Sequence, residues 1–238
     1  MEKVFREGEQ VKTFTVWNHK GGTGKTSLTS LLSLYLSETS RKVLMIDLDS
    51  QESLTSGFLE ENETRKTIYD WLIGKAKIKD CIEEVNSNLS ILSGSLLVSK
   101  IQNSVNQSVI RRDLKNLDFE YCFIDCPPTW SNSIVAAINA SDKILIPSLN
   151  SVYDLKSTKF TLNEVQDIDS KLETYVIFNR CKSLSKIEKE LQDPLFSKST
   201  ILSFPSFTSV NTAIKTKKLK GNLKDEIKKL YESLEGVQ

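Results

Sequence analysis

Residues 18–26 read Asn18-His19-Lys20-Gly21-Gly22-Thr23-Gly24-Lys25-Thr26, between a β-branched run and an amphipathic one. The last three residues match the end of the phosphate-binding motif G-x-x-x-x-G-K-[ST]. Lys20 stands where that motif has its first glycine, and Gly21 follows directly. The match is therefore partial, but it predicts a phosphate-binding loop that follows a strand and opens a helix.

Each residue type in this loop has a chemical reason. Glycines let the chain curl so that successive backbone N–H groups converge on phosphate oxygens, and the helix that follows adds the positive end of its dipole. Lys25 is expected to reach the β- and γ-phosphates of a nucleotide, and the Thr26 hydroxyl to ligate Mg²⁺. The predicted nucleotide-binding residues here are Lys20, Gly21, Gly22, Thr23, Gly24, Lys25, Thr26 and Ser27. A glycine-rich turn without a ligand is the alternative, which the strand, the helix and the Lys–Thr pair argue against.

Outside the loop, short apolar runs alternate with longer amphipathic ones. Several runs are apolar on both faces, which is typical of parallel strands covered on both sides. The predicted strands are 11–17, 42–48, 89–92, 121–125, 143–147 and 174–179. The predicted helices are 25–37, 67–74, 99–117, 131–139, 152–168, 183–191, 210–218 and 223–234, the last two packed at the edge of the sheet.

This alternation predicts an α/β P-loop NTPase fold: a doubly wound, mostly parallel sheet with helices on both faces. No low-complexity linker or repeat divides the chain, so we expect a single domain over residues 1–238. Only about ten residues precede the first strand, so we also expect no N-terminal helix-turn-helix and no sequence-specific operator binding by this chain alone.

Two further strands end in carboxylates. Asp47 lies at the end of the run 42–48 and Asp49 directly follows the run, and Asp125 closes 121–125. The carboxyl ends of parallel strands share one sheet edge, where ligands bind. Acidic groups beside a triphosphate require a cation between them, so Thr26, Asp47 and Asp125 are the predicted Mg²⁺ site, with Asp125 orienting the metal shell. Three aspartates that each cap a helix are the alternative.

Composition and charge limit the classes of protein to which this chain can belong. Apolar residues make up 39% and charged residues 26% of 238, which are ordinary values for a globular protein. The formal net charge of +1 does not by itself indicate nucleic-acid binding. The sequence shows no membrane-spanning run and no signal peptide, so we expect the cytoplasm. The cysteines are interpreted as reduced apolar fillers, and a metal or iron–sulfur site at Cys122 and Cys126 as the weaker alternative.

Four blocks of this sequence resemble the ParA/MinD family of deviant Walker ATPases, most closely ParA (Soj)-type partition proteins. Residues 20–26 match the family's K-G-G-x-G-K-[ST] loop, and Asp47-Leu48-Asp49-Ser50-Gln51 resembles its D-x-D-P-Q segment. Ile124-Asp125-Cys126-Pro127-Pro128 looks like its D-x-P-P strand end, and Phe178-Asn179-Arg180 lies where it often has a base-binding asparagine. The stretch around Pro205 only loosely resembles the part of the family that flanks adenine.

The resemblance implies roles for these residues. Lys20 becomes the signature lysine, which reaches the phosphates bound by a partner subunit, so that an ATP-bound homodimer forms. Asp49 would position the attacking water, and Asp47 would lie near the metal. The implied catalytic residues are therefore Lys20, Lys25 and Asp49. Asn179 and Pro205 would contact the base. Ser50 replaces the usual proline and His19 the usual glutamine. A pH switch at His19 is one interpretation, and a neutral hydrogen-bonding side chain the other.

The family resemblance also implies a function. ParA-like proteins bind ATP and Mg²⁺, coat nucleoid DNA non-specifically in a bacterial cytoplasm, and are released when a ParB-like centromere-binding partner stimulates slow ATP hydrolysis. Seven lysines against two acids between Asn211 and Leu230 fit such a role. The predicted DNA-binding residues are Lys215, Lys217, Lys218 and Lys220. The alternative is that these lysines form a solvated helix face, as runs of charged residues usually do.

Four rival functions stay open at this stage. A MinD-like membrane-associated ATPase would use the apolar stripe of Ile227, Leu230, Tyr231 and Leu234, but the same spacing describes a helix packed on its own domain. A redox member needs cluster-bridging cysteines, which Cys126 does not match in position. A small-molecule kinase needs a second substrate-binding insertion, which is not visible. The positioning of a protein cargo also fits the motifs.

Overall fold

Within the residues that the computed structural model describes (10–181, 183–206 and 209–236), eight strands form one sheet. The strand order is β3-β4-β2-β5-β1-β6-β7-β8, and only the β3–β4 pair is antiparallel. Residues 1–9 lie outside the described part, and so does most of the segment on which the absence of an N-terminal helix-turn-helix was predicted. The predicted doubly wound α/β fold is confirmed.

All six predicted strands are present, with bounds that shift by at most two residues at either end. Two edge strands, β3 and β8, were missed because their residues are only partly buried and carry no continuous apolar run. The strands are β1 (Lys12–Val16), β2 (Val43–Asp47), β3 (Ile82–Asn86), β4 (Leu89–Leu92), β5 (Tyr121–Asp125), β6 (Lys143–Leu149), β7 (Glu173–Asn179) and β8 (Ser199–Phe204).

Most of the predicted helices are also present. The helices are α1 (Lys25–Glu38), α2 (Ser53–Phe58), α3 (Ile68–Leu72), α4 (Val98–Ile101), α5 (Val109–Leu114), α6 (Asn132–Ala140), α7 (Val152–Ile168), α8 (Val210–Thr216) and α9 (Gly221–Glu235). Short 3-10 turns lie at Ile78–Cys81, Ser185–Ile187, Glu190–Gln192 and Pro194–Lys198. The short helix α2 was not predicted.

Two helix predictions were wrong. The single helix over 99–117 is two short helices, α4 and α5, because Asn106 accepts hydrogen bonds from the backbone N–H and the hydroxyl of Ser108 and turns the chain between them. The helix over 183–191 is a pair of 3-10 turns. Ser183 accepts from the backbone N–H of Ser185 there, which offers the backbone an alternative to the α-helical ladder.

Alternate residues of the central strands pack on opposite faces of the sheet. In β2, Leu44 and Ile46 join the core under α3, α5, α6 and α7, while Val43 and Met45 join the core under α1, α2, α8 and α9. Such two-sided burial explains why these strands read as continuous apolar runs.

The sequence predicted that the carboxyl-terminal helices pack at the edge of the sheet, and this prediction was wrong. Leu223 and Ile227 of α9 are buried in the same core as α1 and the central strands. The Tyr231 hydroxyl lies 2.8 Å from that of Tyr121 in β5, and Lys12 of β1 pairs with Glu235 at 2.5 Å. Helices α8 and α9 therefore cover one face beside α1, because their apolar stripe needs a broad apolar surface that a sheet edge does not offer.

The sheet brings the predicted site residues to one edge. The register pairs Asp125 with Val16 on one side and with Asp47 on the other. Because β1, β2 and β5 are parallel, the loop after Val16 and both aspartates lie at the carboxyl ends of the strands. This is the edge where the sequence placed a nucleotide.

Candidate functional site

The loop between β1 and α1 is fixed from below by Asn18. This side chain is fully buried, and its Nδ2 donates to the carbonyl of Pro147 at 2.9 Å. Its Oδ1 accepts from the backbone N–H of Lys20 at 3.0 Å and from the hydroxyl of Ser157 at 3.0 Å. Asn18 thus ties the loop to β6 and α7, a positioning role that the sequence motif did not indicate.

Gly24 marks the narrowest point of the loop. Its φ of 97° lies in the left-handed region, and a Cβ atom there would stand 2.6 Å from Nδ2 of Asn179. The same Nδ2 donates to the carbonyl of Thr23 at 2.7 Å. The structure therefore brings Asn179, which the family resemblance implied as a contact of the base, into direct contact with the loop.

Lys25 folds back into the curl of the loop. Its side chain is buried, and Nζ donates to the carbonyls of Asn18 at 3.3 Å and Lys20 at 3.1 Å. Burial lowers the pKa of Lys25, while the charge of Asp125 acts in the opposite direction. A buried ammonium whose partners are neutral carbonyls is well placed to bind an anion of higher charge.

Thr26 and Asp125 meet at the start of α1. The Thr26 hydroxyl donates to Oδ2 of Asp125 at 2.7 Å, and the other carboxylate oxygen, Oδ1, is buried without a hydrogen-bond partner among the described residues. Burial and the charge of Asp47 raise the pKa of Asp125 well above its ordinary value. An orphaned buried oxygen beside a hydroxyl fits a divalent cation, which would restore the charged form.

Asp47 is buried, and both of its oxygens are already engaged. Oδ1 accepts from the backbone N–H of Asp49 at 3.1 Å, and Oδ2 accepts from the N–H and the hydroxyl of Thr55 at 2.9 and 2.7 Å. The Thr55 hydroxyl in turn accepts from the N–H of Gly94 at 2.8 Å. Burial raises the pKa of Asp47 to about 6 against these hydrogen bonds. Asp47 therefore positions the segment from Asp49 into α2, and its part in metal binding stays a prediction.

Asp49 lies half-buried on the same edge. Its Oδ1 accepts from the N–H of Gln51 at 2.9 Å, and its charge contributes to the raised pKa of Asp125. Lys25, Asp47, Asp49 and Asp125 are therefore brought together as the sequence predicted. No group of three or more His, Cys, Asp or Glu side chains forms a metal cluster within the described residues, so a cation here would need phosphate oxygens as further ligands.

Lys20 turns away from the loop toward α7 of its own chain. Its Nζ lies 2.6 Å from Oδ1 of Asp154, and 40% of its side chain stays exposed. Asp154 stands in the first turn of α7, where its backbone N–H donates to the N-cap residue Ser151. Nothing in the sequence motif pointed to Asp154.

His19 sits among aromatic rings beside the loop. Its ring centroid is 4.7 Å from that of Trp17, 4.7 Å from that of Phe160 and 6.5 Å from that of Trp130. Nε2 forms a hydrogen bond with Oε2 of Glu164 on α7. The interpretation of His19 as a hydrogen-bonding side chain agrees with this contact.

A pocket of about 330 Å³ lies beside the loop, on the side of Gly24 that faces β7 and β8. Ser27, Asn179 and Pro205, all predicted to contact nucleotide, line it. Arg180, Phe204 and Val210 also line it and were not predicted as site residues. A lining that combines polar side chains such as Asn179 with apolar ones such as Phe204 suits a ribose and a base.

The carboxyl-terminal lysines fall into two groups. Lys224 pairs with Glu38 at 2.6 Å, Lys229 with Glu226 at 2.7 Å, and Lys228 lies 3.8 Å from Glu232. No ion pair joins an acid, within the part of the chain that the structure describes, to the four lysines that were predicted to bind DNA: Lys215, Lys217, Lys218 and Lys220. Their charges are therefore available to an external anion.

The apolar stripe of α9 is not a free surface. Ile227 and Leu234 are fully buried, and Leu230 is 5% exposed. Among residues 10–181, 183–206 and 209–236, none of the helices combines the length and apolar character of a membrane span. The four cysteines are free and buried, as filler residues are.

Comparison with known proteins identifies the family. The model of the AAA_31 family, described as an AAA domain, matches residues 11–178. The sporulation initiation inhibitor protein Soj of Bacillus subtilis is 28% identical over 172 residues, which cover 68% of each chain. The maintenance of carboxysome distribution protein A of Gloeothece citriformis is 32% identical over 168 residues, which cover 67% of this chain and 65% of that protein. The chain spans about two thirds of the length of the curated relatives that it matches.

A solved structure agrees over almost the whole chain. A plasmid partition protein of Borrelia burgdorferi bound to AMPPNP superposes with a TM-score of 0.79 at 25% identity and covers 95% of this chain and 98% of that one.

Proposed function

This chain belongs to the ParA/MinD family of P-loop ATPases, and on that premise we propose that it is an ATP-dependent DNA partition ATPase. Its ATP-bound dimer binds DNA without sequence preference, and slow hydrolysis, stimulated by a ParB-like partner, releases it. The observation that supports this proposal most directly is the group of Lys215, Lys217, Lys218 and Lys220, which have no acidic partner among the described residues.

ATP with Mg²⁺ is the cofactor that the loop fits. Lys25 would bind the β- and γ-phosphates, and Thr26 with Asp125 would hold the cation. Oδ1 of Asp125, which has no hydrogen-bond partner among the described residues, would be available to the cation. Bound Mg²⁺ supplies charge neutralisation on the phosphates. Asn179 and Pro205 flank the base pocket beside Gly24. Asp49 orients the attacking water, and because this chemistry is mainly positioning, the set supports slow turnover.

Dimerisation would depend on the γ-phosphate. Lys20 is partly exposed at the edge of the site, and as the family's signature lysine it would reach the phosphates of a second copy. ADP lacks the charge that this second cation neutralises, so only the ATP state gains from pairing. ATP can shift the equilibrium from monomer to dimer only by the difference between its binding free energies to the two states.

DNA binding would follow from doubling the lysine group. If each subunit neutralises four phosphates, log affinity should fall against log salt with a slope of about −7, at roughly −0.9 per phosphate. Such binding places the protein on the bacterial nucleoid in the cytoplasm. The buried stripe of α9 argues against the MinD-like membrane alternative, and likeness to a carboxysome distribution protein keeps a protein cargo as the second candidate.

The deciding experiment is binding to a random-sequence DNA duplex with ATP, with ADP and without nucleotide, across a salt series. A variant with Lys215, Lys217, Lys218 and Lys220 replaced by alanine should lose ATP-dependent binding. Replacement of Lys224, Lys228 and Lys229 by alanine is the matched control, because these lysines are already paired. Equal loss in both variants, or none in either, would refute the assignment of DNA binding to these four lysines. No ATP-dependent binding by the unchanged protein would refute the DNA-binding proposal itself.

A further inference from the structure

A groove separates α2 from α8 on the face of the sheet that α1 covers. It encloses about 740 Å³ and runs from Thr26 and Ser27 at the start of α1 outward to Lys215 and Lys217. The two helices nearly touch on one side of it, where a Cβ on Gly57 would stand 2.9 Å from Cγ2 of Ile214. This groove was not indicated by any sequence motif.

The walls of the groove carry hydrogen-bond donors of two kinds. Ser53 and Ser56 of α2 are exposed and line one wall, and Lys215 and Lys217, in and just after α8, line the other. Hydroxyls and ammonium groups are the donors that proteins use for phosphate oxygens of DNA. One carboxylate, that of Glu60, also lines the groove and opposes an anion there.

Helix α2 is attached to the nucleotide edge by buried hydrogen bonds. Thr55, in the middle of α2, donates both its N–H and its hydroxyl to Asp47. Asp47 is paired in register with Asp125 and also accepts from the N–H of Asp49. Leu54 and Phe58 bury the other side of α2 in the core. A shift of the Asp47–Asp49 segment would therefore be passed directly to α2, which carries Ser53 and Ser56.

We propose that the groove between α2 and α8 binds the sugar–phosphate backbone of DNA, with Ser53 and Ser56 donating to the same strand that Lys215 and Lys217 neutralise. This inference rests on the proposed DNA-binding function and extends it to a helix outside the lysine-rich segment. Part of the DNA-binding surface then lies on α2, which follows Asp49. The dependence of DNA affinity on nucleotide that we propose would have a physical cause, because hydrogen bonds join α2 to the nucleotide edge.

The first test replaces the hydroxyls. Ser53→Ala together with Ser56→Ala should weaken ATP-dependent binding to the random duplex about tenfold, since hydrogen bonds to charged groups are lost on α2. The matched control is Ser87→Ala with Ser170→Ala, two exposed serines beside the starts of β4 and β7, at the opposite edge of the sheet. Binding equal to that of the control would overturn the inference.

The second test is a gain of affinity, which misfolding cannot imitate. Glu60→Gln removes the carboxylate from the groove and should tighten DNA binding severalfold at low salt, with the gain shrinking as salt screens it. Glu188→Gln makes the same change in net charge at an exposed site beside Ile187, which belongs to the core on the other face. An equal gain in both variants would show a long-range charge effect and overturn the inference.

The ATP affinity of each variant shows whether the groove binds DNA or belongs to the nucleotide site. Thr26 and Ser27 line the inner end of the groove, so ATP binding is measured for every variant. Unchanged ATP affinity with changed DNA affinity supports the inference, and a parallel change in both assigns the groove to the nucleotide instead. If the four-lysine variant loses DNA binding while the serine pair does not, the groove inference alone fails. If neither loses it, the assignment of DNA binding to the four lysines fails as well. If the unchanged protein shows no ATP-dependent DNA binding, the proposed function fails first.

Discussion

The Nζ of Lys20 lies 2.6 Å from Oδ1 of Asp154 in the same chain. Lys20 is the residue that family resemblance assigns to the phosphates of a second subunit. In this structure it is held instead by the first turn of α7, and Asp154 is itself fixed by the N-cap residue Ser151. Reaching across a dimer interface therefore requires this ion pair to break.

Asp154→Asn should make ATP-dependent dimerisation easier. The change removes the charge that holds Lys20, and because the pair is partly exposed and contributes about 1 kcal/mol or less, the ATP concentration needed should fall by about fivefold at most. Sedimentation velocity over an ATP titration measures this. Lys20→Ala is the comparison, since it should keep ADP binding and lose the dimer. An unchanged midpoint for Asp154→Asn would show that the pair does not restrain Lys20.

Lys25→Ala should weaken ATP and ADP binding together. Hydrogen bonds from an ammonium to a charged group contribute about 1.5–3 kcal/mol, so the affinity should fall about tenfold to a hundredfold. Titration with a fluorescent nucleotide gives the value. The melting temperature without nucleotide should hardly change, because the buried ammonium has only neutral carbonyls as hydrogen-bond partners. A large loss of stability would instead assign Lys25 to the fold.

Asp49→Ala should leave an ATP-bound dimer that hydrolyses poorly. Asp49 stands at the carboxylate edge near Asp125, where a carboxylate can orient water. Asp49→Asn is the matched variant, because it preserves an acceptor for the N–H of Gln51. Phosphate release under single-turnover conditions should be slow in both variants. Normal hydrolysis by either one would refute the assignment.

Gly24→Ala should destabilise the protein and abolish nucleotide binding. The residue has a φ of 97°, and the added Cβ would lie 2.6 Å from Nδ2 of Asn179. Strain of this kind costs about 1–3 kcal/mol. Gly21→Ala is the control for stability, since a Cβ there meets no atom within 4 Å. Thermal unfolding without nucleotide should separate the two, and equal stability would contradict the close approach.

Ile227→Ala tests whether α9 belongs to the core. Its side chain is fully buried under α1, so the substitution should lower the free energy of unfolding by about 2–5 kcal/mol. Lys228→Ala, one residue further on the exposed face, should have little effect. Wild-type protein should not float with liposomes in the presence of ATP. Flotation together with a mild effect of Ile227→Ala would favour the membrane alternative.

The sequence predicted the central strands well because their signal is local. Residues of β2 and β5 are apolar on both faces, and such runs between amphipathic segments leave few alternatives. The edge strands β3 and β8 carry partly exposed residues and gain their pairing from a neighbour distant in sequence. Helix α2 is only six residues long and depends on Thr55 reaching Asp47, a contact that no local pattern reports.

The sequence alone predicted which groups the site would hold. The loop of residues 18–26 follows a phosphate-binding motif, and the aspartates were expected at one sheet edge because they end apolar runs. The tertiary structure decided which partner each group has. It alone placed Asp154 on Lys20, Thr55 on Asp47 and α9 over α1, since contacts between distant segments depend on packing and not on the residues beside them in the chain.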